Sequence, residues 1–397
     1  VAETKRTGLD GQLLTPSDIG DVNRSRVIQA FCDFGPLSRA DLAKMAGVTR
    51  ATIGNIVSGL LDAGLIEEGE PRDTGGVGKP GRPLWFGTRA GLTGAVSITP
   101  GLVDAALVNA RGEELDKRVV AFDSSDDERR IVGAVGDALS KVLPKTGRDV
   151  LGVGIAVPGV CNTATGDILG SGPVPALNGV ALGPRIAERV RVRVLVDNDT
   201  RAQALGEKWF GQGRQKSSFA SVQTGHGIGV GLVLGGVVLR GPHGEAGEAG
   251  HITVEVDGED CTCGLRGCWE TIASLRWLRR EAAALEIKHA SKLDASHLVA
   301  RAEDDENAMS LLHRYADNIA VGIAALTHIL SPGLFILHGD AVGGGEKLRT
   351  LVEEAARRRV FAHVRRSVEV VVSELDQRAT LLGASGLVLS ETFALTT

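Results

Sequence analysis

Three of the chain's five cysteines, Cys261, Cys263 and Cys268, fall within eight positions, and His251 lies ten residues before the first of them. Three thiols and an imidazole form a set of soft and borderline donors that suits tetrahedral Zn2+. Gly264 and Gly267 let the loop curl so that the sulfurs face one point. Four protein ligands leave no open coordination position, so the pattern reads as a structural zinc, one ion per chain. Unlinked buried thiols or a disulfide are the alternatives. The N-terminal stretch has no apolar leader, which favours a cytoplasmic location, where disulfides are rare.

Carboxylates gather on both sides of this loop. "HGEAGEAGH" puts Glu245, Glu248 and His251 on a Gly-rich turn, and Glu270 follows the last cysteine. Upstream, "VLVDNDTRAQALGEKWFG" places Asn198 and Asp199 at a strand end, just before a helix. Such groups around a small polar ligand would bind several hydroxyls, as a sugar requires, and Asp199 could take a proton from one of them. The competing readings are a helix N-cap at Asp197 or Asp199, and isolated surface acids. "QTGHGIGVGLVLGG" sets Gly225, Gly227, Gly229 and Gly231 between two strand-like runs. Their backbone N–H groups could cradle a phosphate, or the glycines could serve β-turns and bulges.

A different chemistry is written in residues 22–88. Three short helices are expected there, with Ser38 as an N-cap three residues before Asp41, and Thr49 capping the third. Ile53, Val57, Leu60 and Leu61 form the inward stripe of that third helix, which Gly64 ends. Two extended pieces then flank a Gly/Pro-rich tip, giving a winged helix-turn-helix. The third helix would enter a major groove by its N-terminal end, where Thr49, Arg50, Thr52 and Asn55 lie off the apolar stripe. Arg can pair with guanine, Asn with adenine, and Thr can touch a thymine methyl. Ser38 and Arg39 are candidates for phosphates, and Lys79 and Arg82 of the basic wing for a minor groove. A small helical module that binds protein is the alternative.

The elements that must position these groups follow from length and pattern. At 397 residues the chain can hold two or three domains. Hydrophobic residues make up 43% and charged residues 23%, and no run is long enough to span a membrane. A net charge of -5 excludes a protein coated in nucleic acid, so DNA contacts must come from a local patch. Residues 1–21 are polar and aperiodic and read as a mobile arm. From residue 91 strand-like runs alternate with helical stretches in an α/β pattern, with long helices after residue 270. No internal repeat shows in the sequence.

Taken together, "EAGHITV…CTCGLRGCWE", "NDTRAQALGE", "TGHGIGVG" and the N-terminal "GPLSRADLAKMAGVTRATIGNIVSGLLDAGLIEE" resemble the ROK family of repressors, open reading frames and sugar kinases. The resemblance implies a two-lobed actin-like ATPase, or sugar-kinase-like, domain over 91–397, preceded by the winged helix-turn-helix. The small lobe would span about 91–200 plus the C-terminal helix, and the large lobe about 201–377. It also implies a structural zinc on His251, Cys261, Cys263 and Cys268, and a homodimer or tetramer. An interlobe sugar pocket would be formed at Asn198, Asp199, Glu248, His251 and Glu270, with Asp199 matching the base of the kinases. This chain departs from the kinase pattern. Ser97 replaces the Asp of the first phosphate loop, Thr99 and Pro100 replace small glycines, and Asp340 replaces a late glycine. In the stretch that usually carries an Asn and a Trp stand Pro173 and Leu177, close to Asn178.

The expectation is therefore a non-enzymatic, DNA-binding regulator of carbohydrate genes, a repressor, tuned by a sugar or sugar derivative and bound to a pseudo-palindromic operator. An ATP-dependent sugar kinase carrying a DNA module is the rival, and a regulator whose decayed pocket domain binds a partner protein is a third class.

Overall fold

The apolar runs from residue 92 onward build two five-stranded sheets with the same strand order. In this computed structural model, residues 16–70, 81–88, 90–123, 125–145, 150–242 and 244–393 are described. The first sheet contains β4 (Leu92–Thr99), β5 (Leu102–Val108), β6 (Glu114–Ala121), β7 (Val150–Val157) and β10 (Val194–Asn198), arranged β10-β7-β4-β5-β6. The second contains β11 (Phe219–Thr224), β12 (Gly229–Leu234), β13 (Val237–Val238), β14 (Leu334–Gly339) and β15 (Glu369–Val372), arranged β13-β12-β11-β14-β15. In each, a three-stranded antiparallel meander is extended by two parallel strands. The fold is thus a duplication that the sequence does not display. Parallel strands need crossover connections, and helices supply them. These are α4 (Glu128–Val142) and α5 (Leu182–Val190) in the first half. In the second half they are α7 (Trp269–Ala273), α8 (Leu275–Ala284), α9 (Ala295–Arg301), α10 (Glu306–Leu330), α11 (Asp340–Gly343) and α12 (Gly345–Arg359). A short hairpin, β8 (Val160–Asn162) and β9 (Asp167–Gly170), follows β7.

Two helices exchange places between the halves. Helix α6 (Asp199–Phe210) follows the first sheet but packs on the second, where Gly229 and Gly231 of β12 leave room for Thr200 and Ala204. Helix α13 (Arg378–Thr392) follows the second sheet but packs on the first, where Gly154 of β7 lies against the backbone of Ala384. The two helices meet through Gly206 and Gly383. A Cβ at Gly383 would stand 1.6 Å from the carbonyl oxygen of Ala202, and one at Gly206 would stand 2.1 Å from that of Ala379. Only glycine permits such an approach.

Residues 1–90 and 390–397 form one compact unit, and Gly91–Leu389 the other. The end of the second domain, expected at 397, is corrected accordingly. Phe393 stacks on Phe86 at 6.0 Å, and Phe86 meets Phe31 edge-on, so the chain's end completes the N-terminal core. The arm expected over 1–21 is also corrected. Helix α1 runs Pro16–Phe34, beginning with a proline whose missing N–H costs nothing in a first turn. Residues 1–15 lie outside the described residues. Helices α2 (Arg39–Ala46) and α3 (Arg50–Asp62) follow, and β1 (Leu37–Ser38), β3 (Pro83–Phe86) and β2 (Ile66–Glu68) make the small sheet. Ser38 and Asp41 form the expected capping box, Thr49 caps α3, and Gly64 adopts a left-handed φ of 67° just beyond its end. Ile53, Val57 and Leu60 are fully buried, each stabilising the unit by about 1.5–3 kcal/mol. Leu61 is only half-buried, at the edge of the stripe. Among the described residues no helix is long and apolar enough to cross a membrane.

Candidate functional site

The cysteine loop closes as its spacing requires. One ligand atom from each of His251, Cys261, Cys263 and Cys268 lies within 4.8 Å of all the others. His251 Nδ1 is 3.6 Å from Cys261 Sγ, and Cys263 Sγ is 3.7 Å from Cys268 Sγ. Ligands at about 2.3 Å from a tetrahedral Zn2+ would stand about 3.8 Å apart, so the donor set fits that ion. The four cysteines whose side chains are described are free thiols, which excludes a disulfide here. Burial pushes the Cys261 thiol up to about 12. A divalent cation is what would make a thiolate favourable there. The curl depends on Gly267, whose φ is 67° and whose Cβ would fall 1.6 Å from the Glu255 carbonyl oxygen. Val254 donates to Gly267 O at 2.8 Å, and Cys268 then opens α7. Trp269 anchors that helix. It is wholly buried, donates to Asn318 O at 2.8 Å, and packs against Gly322 of α10.

This loop holds the acids in place. Cys261 Sγ donates to Glu270 Oε1 at 3.0 Å, and Thr262 Oγ1 does so at 3.3 Å. Gly227 of the Gly-rich loop abuts the other oxygen, its Cβ position lying 3.0 Å from Glu270 Oε2. Gly247 seats the acidic turn on the backbone of Val230 in β12 and Gly250 on that of Ile228 just before it, and the turn enters the short 3-10 helix Ala249–His251. Glu248 and Glu245 are exposed there.

Asn198, rather than Asp197 or Asp199, caps α6. Its Oδ1 accepts from the backbone of Thr200 and Arg201, and its Nδ2 donates to Gly159 O and to Asp199 Oδ1, both at 3.0 Å. Its amide is thus committed to holding Asp199. Burial pushes the Asp199 carboxyl up to about 6; the nearby Glu248 carboxylate adds to the rise and the Thr200 N–H opposes it. Beneath lies a group that sequence reading missed. Asp197 is buried and ion-paired to Arg201 at 2.6 Å and Arg240 at 2.7 Å. Arg201, also buried, donates to Gly244 O at 2.7 Å and Ala246 O at 3.2 Å. The network thereby fastens the acidic turn to the start of α6. The i,i+4 spacing of Asp197 and Arg201 was a local signal, but Arg240 was not.

The stretch Ser97–Gly101, expected to stand in place of a first phosphate loop, is a tight turn. Pro100 and Gly101 (φ 84°) join β4 to β5, pairing Thr99 with Leu102. Pro100 offers no N–H. The glycines of the second loop divide. Gly229 and Gly231 are required by the packing of α6, whereas Gly225 faces open space and is required by its backbone, whose φ of 151° strains any side chain. Asp340 does not project free charge into this region. It accepts from Ala295 N and Tyr315 Oη, each at 3.0 Å, and burial raises its pKa. Leu177 is buried, Pro173 is exposed, and Asn178 Oδ1 accepts from Ser171 N at 2.6 Å.

In the N-terminal unit, Arg50, Thr52 and Asn55 are all exposed at the capped end of α3. Ser38 is held in its capping box. Arg39 is ion-paired to Glu68, and Arg82 approaches the same carboxylate at 3.8 Å. Lys79 lies outside the described residues.

Comparison with known proteins agrees with this architecture. Residues 93–391 match the profile of the ROK family. The xylose repressor of Caldicellulosiruptor bescii is 26% identical over 388 residues, covering 93% of this chain and 96% of the repressor. A glucokinase of Thermotoga maritima is 34% identical over 248 residues, covering 59% of this chain and 78% of the enzyme. A solved ROK family transcriptional regulator, described as a homolog of the E. coli MLC protein, superposes with a TM-score of 0.74 at 27% identity, over 94% of this chain and 99% of its own. With its duplicated α/β domain and its helix-turn-helix unit, the chain belongs to the ROK family.

Proposed function

We propose that the protein is a transcriptional repressor of carbohydrate-metabolism genes whose grip on DNA is set by a bound sugar. The observation that carries this reading is the capped α3, with Arg50, Thr52 and Asn55 exposed, on the same chain as the Asp199, Glu248 and Glu270 carboxylates. Relatives named as repressors match the chain along both units, whereas the glucokinase match takes in little more than half of it.

Each residue then has a role. Arg50 and Asn55 read base edges, Thr52 touches a thymine methyl, and Ser38, Arg39 and Arg82 meet phosphates. Zn2+ on His251, Cys261, Cys263 and Cys268 is structural, and it closes the loop whose end carries Glu270. Asp199, Glu248 and Glu270 accept hydrogen bonds from sugar hydroxyls near His251, and Asn198 orients Asp199. Sugar binding shifts the halves about the α6–α13 crossing, and a homodimer passes the change to a pseudo-palindromic operator. A coupling of about 1–3 kcal/mol would change DNA affinity about 5–150-fold. Fluorescence anisotropy of labelled upstream DNA, titrated across xylose and other neutral sugars, tests this. DNA binding that no sugar alters would overturn the effector role, and no DNA binding would overturn the repressor.

One observation favours the kinase reading: Asp199 has the raised pKa that suits a general base. We infer that it serves as an acceptor only. Ser97 supplies no carboxylate for Mg2+, and the Pro100–Gly101 turn gives few donors for triphosphate. ADP release with a hexose and pentose panel discriminates. Turnover abolished by Asp199→Asn would establish the enzyme.

A further inference from the structure

Where α6 lies on the second sheet, part of the contact is polar, although a buried helix face is ordinarily apolar. Gln203 donates to Gln223 Oε1 at 2.7 Å and accepts from Ser221 Oγ at 3.0 Å. One turn further on, Glu207 is wholly buried. Its Oε2 accepts from Gln212 N at 2.8 Å, and its Oε1 accepts from Ser373 Oγ. Ser373 in turn accepts from Leu375 N at 3.2 Å, in the connection that carries the chain from β15 into α13. Gln212 Nε2 adds a bond to Glu374 Oε1 at 3.3 Å. Gly211 leaves room for the carboxyl, since its Cβ would stand 2.0 Å from Glu207 Oε2. One carboxyl thus ties the end of α6 to the connection into α13, and these are the two helices that the halves exchange.

Beside it stands a group with nothing to bond. His338, near the end of β14, is 1% exposed, and neither imidazole nitrogen has a hydrogen-bond partner among the described residues. Its main chain is fixed, because its carbonyl accepts from Thr224 Oγ1 at 2.8 Å. Burial lowers its pKa to about 3, so the ring is neutral and carries one N–H. His338 Nε2 lies 3.4 Å from Glu207 Oε1, about half an ångström beyond the usual N–H···O length. Buried polar groups in folded proteins are nearly always paired, and leaving one unpaired is costly. Burial also raises the Glu207 carboxyl, against the bonds from Ser373 and Gln212, so one more donor would stabilise its charge. A small advance of α6 toward β14 would satisfy both groups at once.

We propose that Glu207 and His338 form a two-position latch at the joint between the halves. In the position described here, the carboxyl holds Ser373 and Gln212 alone. In the other, α6 has moved onto β14 and His338 Nε2–H donates to Glu207 Oε1. Asn198 and Asp199 open the same helix, about 12 Å from Glu207 along its axis, so a sugar that pulls on them selects the second position. His338 touches no ligand and is a positioning residue. The latch rests on the sugar-sensing reading and names the place inside the α/β domain where the ligand is felt.

The experiment is nitrogen NMR on the full zinc-loaded chain with labelled histidine, titrated with xylose and with glucose, while calorimetry records binding. His338→Gln assigns the His338 signals. A sugar that binds moves the His338 Nε2 resonance, as an N–H that gains an acceptor must, and leaves the ring neutral. His338→Leu fills similar space without a donor. It weakens that sugar about fivefold or more, without lowering the melting temperature, because it removes only unpaired polar atoms. His338→Gln keeps an N–H donor and binds within about twofold of the parent, a rescue that a purely structural role would not produce. Where His338→Leu does not fold, the resonance in the parent decides alone. A sugar that binds yet leaves the His338 resonances unmoved, or that binds His338→Leu as well as the parent, overturns the latch and leaves the sugar-sensing reading in place. No heat with either sugar overturns the latch together with the effector it serves.

Discussion

Asp199→Asn should make this protein more stable at neutral pH while weakening its hold on sugar. The carboxyl is pushed from 3.8 up to about 6, first by burial and then by the Glu248 carboxylate. A carboxyl whose folded pKa is raised binds its proton more tightly in the native state. It contributes stability that is complete below pH about 4 and is lost as pH rises through about 6. The rise, about two units, corresponds to an upper limit of about 3 kcal/mol at pH 7, and relaxation around the charge brings the expected value to about 1–3 kcal/mol. Asparagine keeps the Oδ1 that accepts from Asn198 Nδ2 and Thr200 N, and it removes the charge. At about 1–2 °C per kcal/mol for a unit of this size, the variant should melt a few degrees above the parent at pH 7.5. The difference should shrink to about a third of its full size at pH 4.5 and vanish only below the unfolded pKa of 3.8, where the carboxyl is neutral in both states. Scanning calorimetry from pH 4.5 to 8 measures it, and sugar titration at pH 7.5 should show at least a tenfold loss. A variant no more stable than the parent at pH 7.5, or equally stabilised at both ends of the range, would refute the strained carboxylate and with it the idea that this site stores stability for ligand binding.

Other consequences are open to direct measurement. Elemental analysis should find one zinc per chain, and Cys268→Ser or a strong chelator should lower the melting temperature and abolish sugar binding together, because Glu270 hangs on the same loop. Gly383→Ala should cost about 1–3 kcal/mol or more in urea unfolding, since its Cβ would press on the backbone of Ala202. In gel shifts, Arg50→Ala or Asn55→Ala should cost about 1–3 kcal/mol and relax sequence preference, whereas Arg39→Ala should weaken all sequences alike and reduce the salt slope by about one.

What could be read in advance was what depends on neighbours along the chain. The four clustered donors span only His251 to Cys268, and two glycines within that span announce the curl, so donor type and spacing sufficed to place the cluster. The caps at Ser38 and Thr49 are likewise three-residue relations. Reading erred where the local signal was faint or divided. Helix α1 starts in polar residues without an apolar stripe, so its first turns passed for an arm. In "VDND" three neighbouring residues can cap a helix, and which one does so depends on Gly159, a residue from a different strand end that receives the Asn198 amide.

By itself the sequence determined the His/Cys donor cluster, the helix-turn-helix and the alternating α/β texture, because donor spacing, capping and hydrophobic period are set within a turn or a strand. Tertiary structure alone decided that the two halves repeat one strand order and exchange α6 and α13, and that glycines 229 and 231 serve packing. It also buried Glu207 against His338 and Ser373, where desolvation raises the Glu207 carboxyl and lowers His338 to about 3. Those partners are more than a hundred residues apart. Their meeting follows from shape-complementary burial of the two sheets against shared helices, a global balance of packing and desolvation that no local pattern encodes.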